Sequence, residues 1–297
     1  MTLKIFLKGL LMGISDIIPG VSGGTIAFIL GIYERFINAI KGINITFVIP
    51  LFKFIIKREK KYLEETKNKL SPMDLKFLIP LFMGIFIAFM IGARIIPHLL
   101  DTYPAYTFAF FFGLILGSIK AIFKKVRGVS FVNIFLCVVA FVLAFLIAGL
   151  SSLQANHTYI FIFFSGMIAI AAMLLPGISG SFILLLLGQY KFMLEALKEL
   201  KIFYIISFLV GAVIGLLGFS RLLSYLLKRH HSNTIWCLIG LMFGALRVPF
   251  NNIVFVRSLY PEINFIWNSM SMSFVGVFFI LGIVAIIIIE TKDKFYF

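Results

Sequence analysis

Two short runs in this 297-residue sequence have the residue types to hold an anion. In one, Pro19 and Gly20 precede Ser22, Gly23, Gly24 and Thr25; in the other, Pro176 and Gly177 precede Ser179, Gly180 and Ser181. Proline and glycine stop one helix, and serine or threonine favours the N-cap of the next. Glycine lets backbone N–H groups close on a ligand. Free N–H groups and the helix dipole then favour negative charge, so each run reads as half of a phosphate site. Small residues at such spacing also serve close helix packing. The recurrence of the run at a matching place in the chain favours the ligand reading.

Other side chains could join them. Arg94 and Arg221 fall at equivalent positions near span ends, and guanidinium forks match phosphate geometry. Asp16, preceded by Ser15, is an ionisable group at a helix break and therefore a candidate for binding a coupling proton or sodium ion, or for capping N–H groups. Its counterpart in the second run is Met173. Glu34 and Arg35 are expected at the headgroup layer. His98, His157, His230 and His231 lie in loops without metal-site spacing, and Cys137 and Cys237 read as small hydrophobes. No metal, cofactor or catalytic residue is expected.

The elements that must position these residues are membrane helices. The chain is 61% hydrophobic and only 13% charged, with a mean hydropathy of +1.09. A soluble domain carries about a quarter charged residues. Apolar runs at 77–93, 131–150, 202–219 and 272–289 each approach the roughly 20 residues that cross a bilayer. The formal charge of +15 sits in loops between spans, which argues for membrane headgroups and against nucleic acid. No cleavable signal peptide is evident.

The chain also repeats. At an offset of 157, the two Pro-Gly runs align and Gly9 pairs with Gly166, Gly31 with Gly188 and Tyr33 with Tyr190. At an offset of 127, Gly84 pairs with Gly211, Arg94 with Arg221, Gly113 with Gly240 and Gly117 with Gly244. The change of offset marks an insertion in the first half around the charged stretch 53–76. Residues 3–14 are too short to cross, at roughly 18 Å. They read, with 25–40, as a re-entrant hairpin over 3–40, matched by another over 159–190.

Each hairpin is followed by three spans: 77–96, 105–119 and 131–150 in repeat 1 (1–150), then 202–220, 234–249 and 272–290 in repeat 2 (151–297). An odd number of crossings inverts the second copy. The expectation is an all-α integral membrane protein of two inverted-topology repeats with both termini cytoplasmic. Lysine and arginine counts agree, with seven in 57–76, four in 120–130, three in 221–233 and none in 97–104 or 151–158. Segment 191–201, with Lys191, Lys198 and Lys201, runs against the pattern. Residues 43–56 are placed as an interfacial helix, since a crossing there would undo the inversion.

The run Gly13 to Thr25, followed by Gly31-Ile32-Tyr33-Glu34, resembles the signature of the PopT-type polyprenyl-phosphate translocases of bacteria and archaea. The run Pro176 to Tyr190 is similar to that family's second motif. The resemblance spans nearly the whole chain, with Ser15 a mild departure from the family's usual small residue. It implies a lipid substrate, undecaprenyl phosphate, returned from the outer to the inner leaflet of the bacterial cytoplasmic membrane for reuse in cell-wall synthesis. The tail is expected to stay in lipid throughout. An ion channel or a transporter of a small soluble anion would use the same half-helix tips. An intramembrane lipid phosphatase would need a nucleophile with a base or a carboxylate-held metal, and neither accompanies the serines.

Overall fold

The computed structural model describes residues 2–17, 22–43, 45–123, 126, 128–150, 157–263 and 265–294. Pro19 and Gly20 lie outside the described residues, as does the side chain of Arg94. All regular elements among the described residues are helical. The first half contains α1 (Thr2–Ile17), α2 (Gly23–Ile29), α3 (Tyr33–Lys41), α4 (Val48–Lys57), α5 (Lys60–Leu70), α6 (Leu75–Thr102), α7 (Pro104–Phe123) and α8 (Phe131–Ile147). The second contains α9 (Tyr159–Met173), α10 (Gly180–Leu186), α11 (Tyr190–Lys198), α12 (Ile202–Arg229), α13 (His231–Ala245), α14 (Arg247–Val254), α15 (Val256–Leu259) and α16 (Ser269–Lys294).

Five helical stretches are long and apolar enough to cross a membrane, in α6, α7, α12, α13–α14 and α16. Helices α8 and α9 are apolar but shorter, and α10 and α11 form a pair bent by 104°. Large apolar side chains face outward on these helices: Phe135 is 58% exposed, Ile160 72% and Phe203 76%. Such a surface is stable only against lipid. This is a multi-pass membrane protein.

Helix α1 extends beyond the apolar stretch 3–14. Ser15 donates to its own Leu11 carbonyl at 2.8 Å, so its hydroxyl is satisfied within the helix and the turn continues through Asp16 to Ile17. The segment expected to be interfacial is a single 3-10 turn followed by α4, whose ten residues are too short to cross. Its apolar residues Phe52, Ile55 and Ile56 are exposed, while Lys53 and Lys57 lie over the Tyr62 ring of α5. In segment 191–201, Lys201 pairs with Glu199 at 2.8 Å and lies over Phe192, so part of its positive charge is locally balanced. The carboxylate of Glu199 holds the Lys201 ammonium above its usual range.

Four helix pairs form the frame: α1 with α6, α9 with α12, α7 with α16 and α8 with α13. Glycine sets each contact. A Cβ on Gly9 would strike the Leu81 carbonyl oxygen, and one on Gly84 that of Phe6. The corresponding atoms at Gly166 and Gly211 would strike Phe208 and Phe163. Gly113 lies against Phe279 and Gly117 against Ile286; Gly240 lies against Cys137 and Gly244 against Ala144. The glycines matched by the sequence offsets therefore make matching contacts. In each half the last long helix packs on the other half, α8 on α13 and α16 on α7.

Candidate functional site

The first tip is built by α1 around the seven-residue helix α2. Asp16, near the end of α1, accepts the Gly23 N–H at 2.6 Å. Lys8, two turns earlier, donates to the Leu30 carbonyl just beyond α2 at 2.8 Å. A carboxylate at the N-terminal end and an ammonium at the C-terminal end both oppose the dipole of α2. A Cβ on Gly23 would lie 2.5 Å from an Asp16 carboxylate oxygen, so any larger residue there displaces the Asp16 side chain. Ser22 is the N-cap: its side chain accepts the Gly24 N–H at 3.1 Å, and its carbonyl accepts that of Thr25 at 2.9 Å. In the first tip, the N–H groups of Gly23, Gly24 and Thr25 that the sequence offered to an anion are thus filled by Asp16 and Ser22.

The second tip differs. Gly177 has φ +89°, and an added Cβ would lie 2.9 Å from the Met242 backbone, so only glycine makes this turn without strain. Ser179 precedes α10 without capping it; its hydroxyl and that of Ser181 lie 2.7 Å apart. A cavity of about 20 Å³ adjoins Ser179, Gly177 and Phe182. That holds a water molecule and no more. Gly180 serves packing, since a Cβ would lie 2.9 Å from the Ala169 carbonyl.

The two tips meet. Thr25, fully buried, accepts the Gly177 N–H at 2.9 Å. Tyr33 donates to the Leu174 carbonyl at 2.9 Å. The Ser22 hydroxyl lies 3.2 Å from the Leu175 carbonyl and 3.4 Å from that of Met173. Backbone groups freed where α9 stops beside Pro176 are therefore satisfied by side chains of the first tip, as irregular backbone at membrane depth requires. Ser22, Gly23, Gly24, Thr25, Pro176, Gly177, Ser179, Gly180 and Ser181 form one region around this junction, with Asp16 beside it.

Arg221 is not brought there. It is exposed on α12 and donates to the Leu217 carbonyl of its own helix. Arg94 is carried by α6. Ser15 is buried and bonded within α1. The sequence reading missed Arg247, which lay inside the expected span 234–249. It opens α14, donates to the Phe145 carbonyl at 2.8 Å and covers the Phe145 ring at 4.3 Å. The signal was available: a charge inside an apolar run, followed closely by Pro249.

The profile of a family described as undecaprenyl phosphate translocase-like matches residues 12–260, a stretch that holds both tips and the helices from α2 to α15. The chain belongs to this translocase-like family. It is 42% identical over 244 residues to a polyprenyl-phosphate transporter of Vibrio cholerae, covering 82% of this chain and 76% of the relative. A polyprenyl-phosphate transporter of Staphylococcus aureus is 33% identical over 264 residues, covering 82% of this chain and 84% of that one. No solved structure matches.

In this translocase-like chain the first hairpin is also tied along α3, from its first turn to its last. Arg35 donates to Asp74 at 2.8 and 3.2 Å and lies over the Phe77 ring. Glu34 faces His231 at 3.1 Å. Ser224 of α12 donates to Asn38 at 2.8 Å and lies 3.3 Å from the Lys41 ammonium. The Arg35–Asp74 ion pair and polar contacts thus tie α3 to the start of α6, the start of α13 and α12. Among the described residues, no group of His, Cys, Asp and Glu could hold a metal ion.

Proposed function

We propose that this chain translocates undecaprenyl phosphate from the outer to the inner leaflet of the bacterial cytoplasmic membrane, returning the carrier lipid for cell-wall synthesis. Its two halves act as inverted-topology repeats with both termini cytoplasmic. The phosphate binds at the junction of the tips, between Ser22-Gly23-Gly24-Thr25 and Ser179-Gly180-Ser181, with Arg94 and Arg221 meeting the headgroup on its way in and out. The observation that carries this reading is the bond from the Gly177 N–H to the Thr25 hydroxyl, which joins the two breaks into one polar spot inside an apolar helical frame.

Asp16 supplies the exchange step. Its carboxylate already occupies an anion position on the Gly23 N–H. A phosphate oxygen replacing it would make a charge-assisted hydrogen bond of the same kind, so the swap costs little. Carboxylate and phosphate cannot share one donor in a medium of low dielectric. Displaced Asp16 therefore takes up a proton or a sodium ion, which couples lipid movement to an ion gradient. The ties on α3 from Asp74, Ser224 and His231 keep the cytoplasmic side closed while the lipid enters; their release lets the hairpins rock and the phosphate leave inward.

The test is reconstitution of the full chain in liposomes with undecaprenyl phosphate placed in one leaflet. The expected result is saturable exchange, slowed by the Ser22→Ala/Ser179→Ala double variant. No acceleration by folded protein, with or without proton or sodium gradients, would refute the function and favour a soluble-anion transporter.

A further inference from the structure

A groove of about 530 Å³, within the size range of small-molecule sites, opens beside the first half of α6. Helix α6 forms its floor from Leu75 to Phe86, a length of roughly 16 Å. Ile43 and Phe47, ahead of α4, and Leu70, at the end of α5, form its sides. Leu75 opens the stretch of α6 that is apolar enough to cross the bilayer, so the groove starts at headgroup level and runs inward. Its floor faces lipid: Ile79 is 55% exposed, Met83 54% and Phe86 63%. Helices α4 and α5 pack on each other and lie outside the four pairs of the frame. On α4 the exposed Val48, Ile49, Phe52, Ile55 and Ile56 fall within about 120° of one another around the helix. A ten-residue helix with one such apolar face, and Lys53 and Lys57 beside it, lies in the membrane surface.

We infer that this groove holds one anionic phospholipid, with an acyl chain along α6 and the headgroup phosphate at the mouth, against Lys69 and Lys76. The site needs the membrane-embedded fold and not the transport proposed above. Cations mark the mouth. Lys69 adjoins Leu70 and donates to the carbonyl of Thr46, next to Phe47, at 3.4 Å. Glu65, at 3.1 Å, takes a second of its three donors, which leaves one for a phosphate oxygen. Lys76 follows Leu75 and, at about 100° per residue, stands about 20° past Met83 at the edge of the floor. Helical side chains lean toward the N-terminus, so its ammonium reaches back to the headgroups. Its side chain makes no ion pair or hydrogen bond among the described residues. The stretch 53–76 has eight Lys and Arg against four Asp and Glu, a surplus that an anionic headgroup offsets and a zwitterionic one does not. No residue of the tip junction lines the groove, so it is separate from the phosphate site proposed there. Carbon walls give no preference among lipids, because lipid is as apolar as they are; selection falls to the two ammoniums.

The experiment uses the full chain with Phe86→Trp, in phosphatidylcholine vesicles containing a minor fraction of phosphatidylglycerol brominated on its acyl chains. Bromine quenches a tryptophan that it touches. Phe86 lies at the deep end of the groove and faces lipid, so tryptophan there keeps ring and exposure. Met83→Trp, on the same floor, is the second reporter, and both are read against the parent's own two tryptophans. Brominated phosphatidylglycerol should associate about tenfold to thirtyfold more strongly than brominated phosphatidylcholine at the same fraction, since each lysine at a headgroup gives about fivefold. Lys69→Ser/Lys76→Ser should bring that preference below about twofold. Lys60→Ser/Lys61→Ser removes the same charge roughly 14 Å from Leu70 along α5 and should leave the preference in place. Undecaprenyl phosphate should displace the brominated lipid no better than unlabelled phosphatidylglycerol does. Equal quenching by the two headgroups, or an unchanged preference in Lys69→Ser/Lys76→Ser, would overturn the site. Equal damage from Lys60→Ser/Lys61→Ser would replace it with general surface attraction. Stronger displacement by undecaprenyl phosphate would give the groove to that lipid instead.

Discussion

Replacing Thr25 by valine would test whether the tip junction holds the molecule together. The two side chains have nearly the same shape, so packing around this fully buried position is kept. What is lost is the acceptor for the Gly177 N–H, bonded at 2.9 Å. A buried N–H left without a partner costs about 1–3 kcal/mol. Bulk water does not reach the lipid-embedded core to replace the hydroxyl, so the cost falls within that range. Tyr33→Phe removes the donor to the Leu174 carbonyl three residues earlier. A carbonyl tolerates this better than an N–H does, so the cost is about 0.5–1.5 kcal/mol.

Both bonds close the same junction, so once one is lost the other is worth less. The double variant should therefore fall short of the sum of the singles by at least about 0.5 kcal/mol. Reversible unfolding in mixed micelles would measure all three, with Thr25→Ser restoring most of the loss. Wild-type stability in Thr25→Val would refute the role of the bond. Strict additivity would refute the idea of one shared junction.

Three further outcomes follow from the same geometry. Gly211→Ala should cost about 1–3 kcal/mol, because its Cβ meets the Phe163 carbonyl and two helix backbones must part. Gly218→Ala, on the same helix with nothing within 4 Å, should be neutral or stabilising by up to about 1 kcal/mol in the same assay. Asp16→Asn keeps an oxygen for the Gly23 N–H and removes the charge; it should fold, and transport in liposomes should lose its response to an imposed proton or sodium gradient. A response equal to that of the wild type would rule out Asp16 as the coupling group.

The sequence held the frame more openly than the site. Gly84 and Gly211, or Gly113 and Gly240, are recognisable as pairs because close helix contacts admit no other residue, and that constraint is visible as identity at a fixed offset. The N-cap role of Ser22 is local and was legible for the same reason. The bond from Gly177 to Thr25 was not, since 152 residues separate its partners and no periodicity links them. Nor could spacing tell that Ser22 and Thr25 spend their hydroxyls on protein backbone, or that Asp16 sits where an anion was expected. Tyr33 and Tyr190 match in the alignment, yet Tyr33 is buried in the junction and Tyr190 is 39% exposed. Symmetry in sequence does not oblige symmetry in use.

The exchange of α8 and α16 between the halves sets an order of assembly during synthesis. Helix α1 finds α6 within the first half, but α8 ends at Ile147 and its partner α13 ends at Ala245, 98 residues later. At about 5–20 residues per second, α8 waits in the bilayer for roughly 5–20 s without the glycine face it is built to meet. Helix α7 waits longer still, until α16 emerges. The first half therefore cannot reach its final packing by itself. A chain that stops before α16 leaves Gly113 and Gly117 of α7 without the Phe279 and Ile286 contacts that their missing side chains admit, so one helix face registers whether α16 has been made.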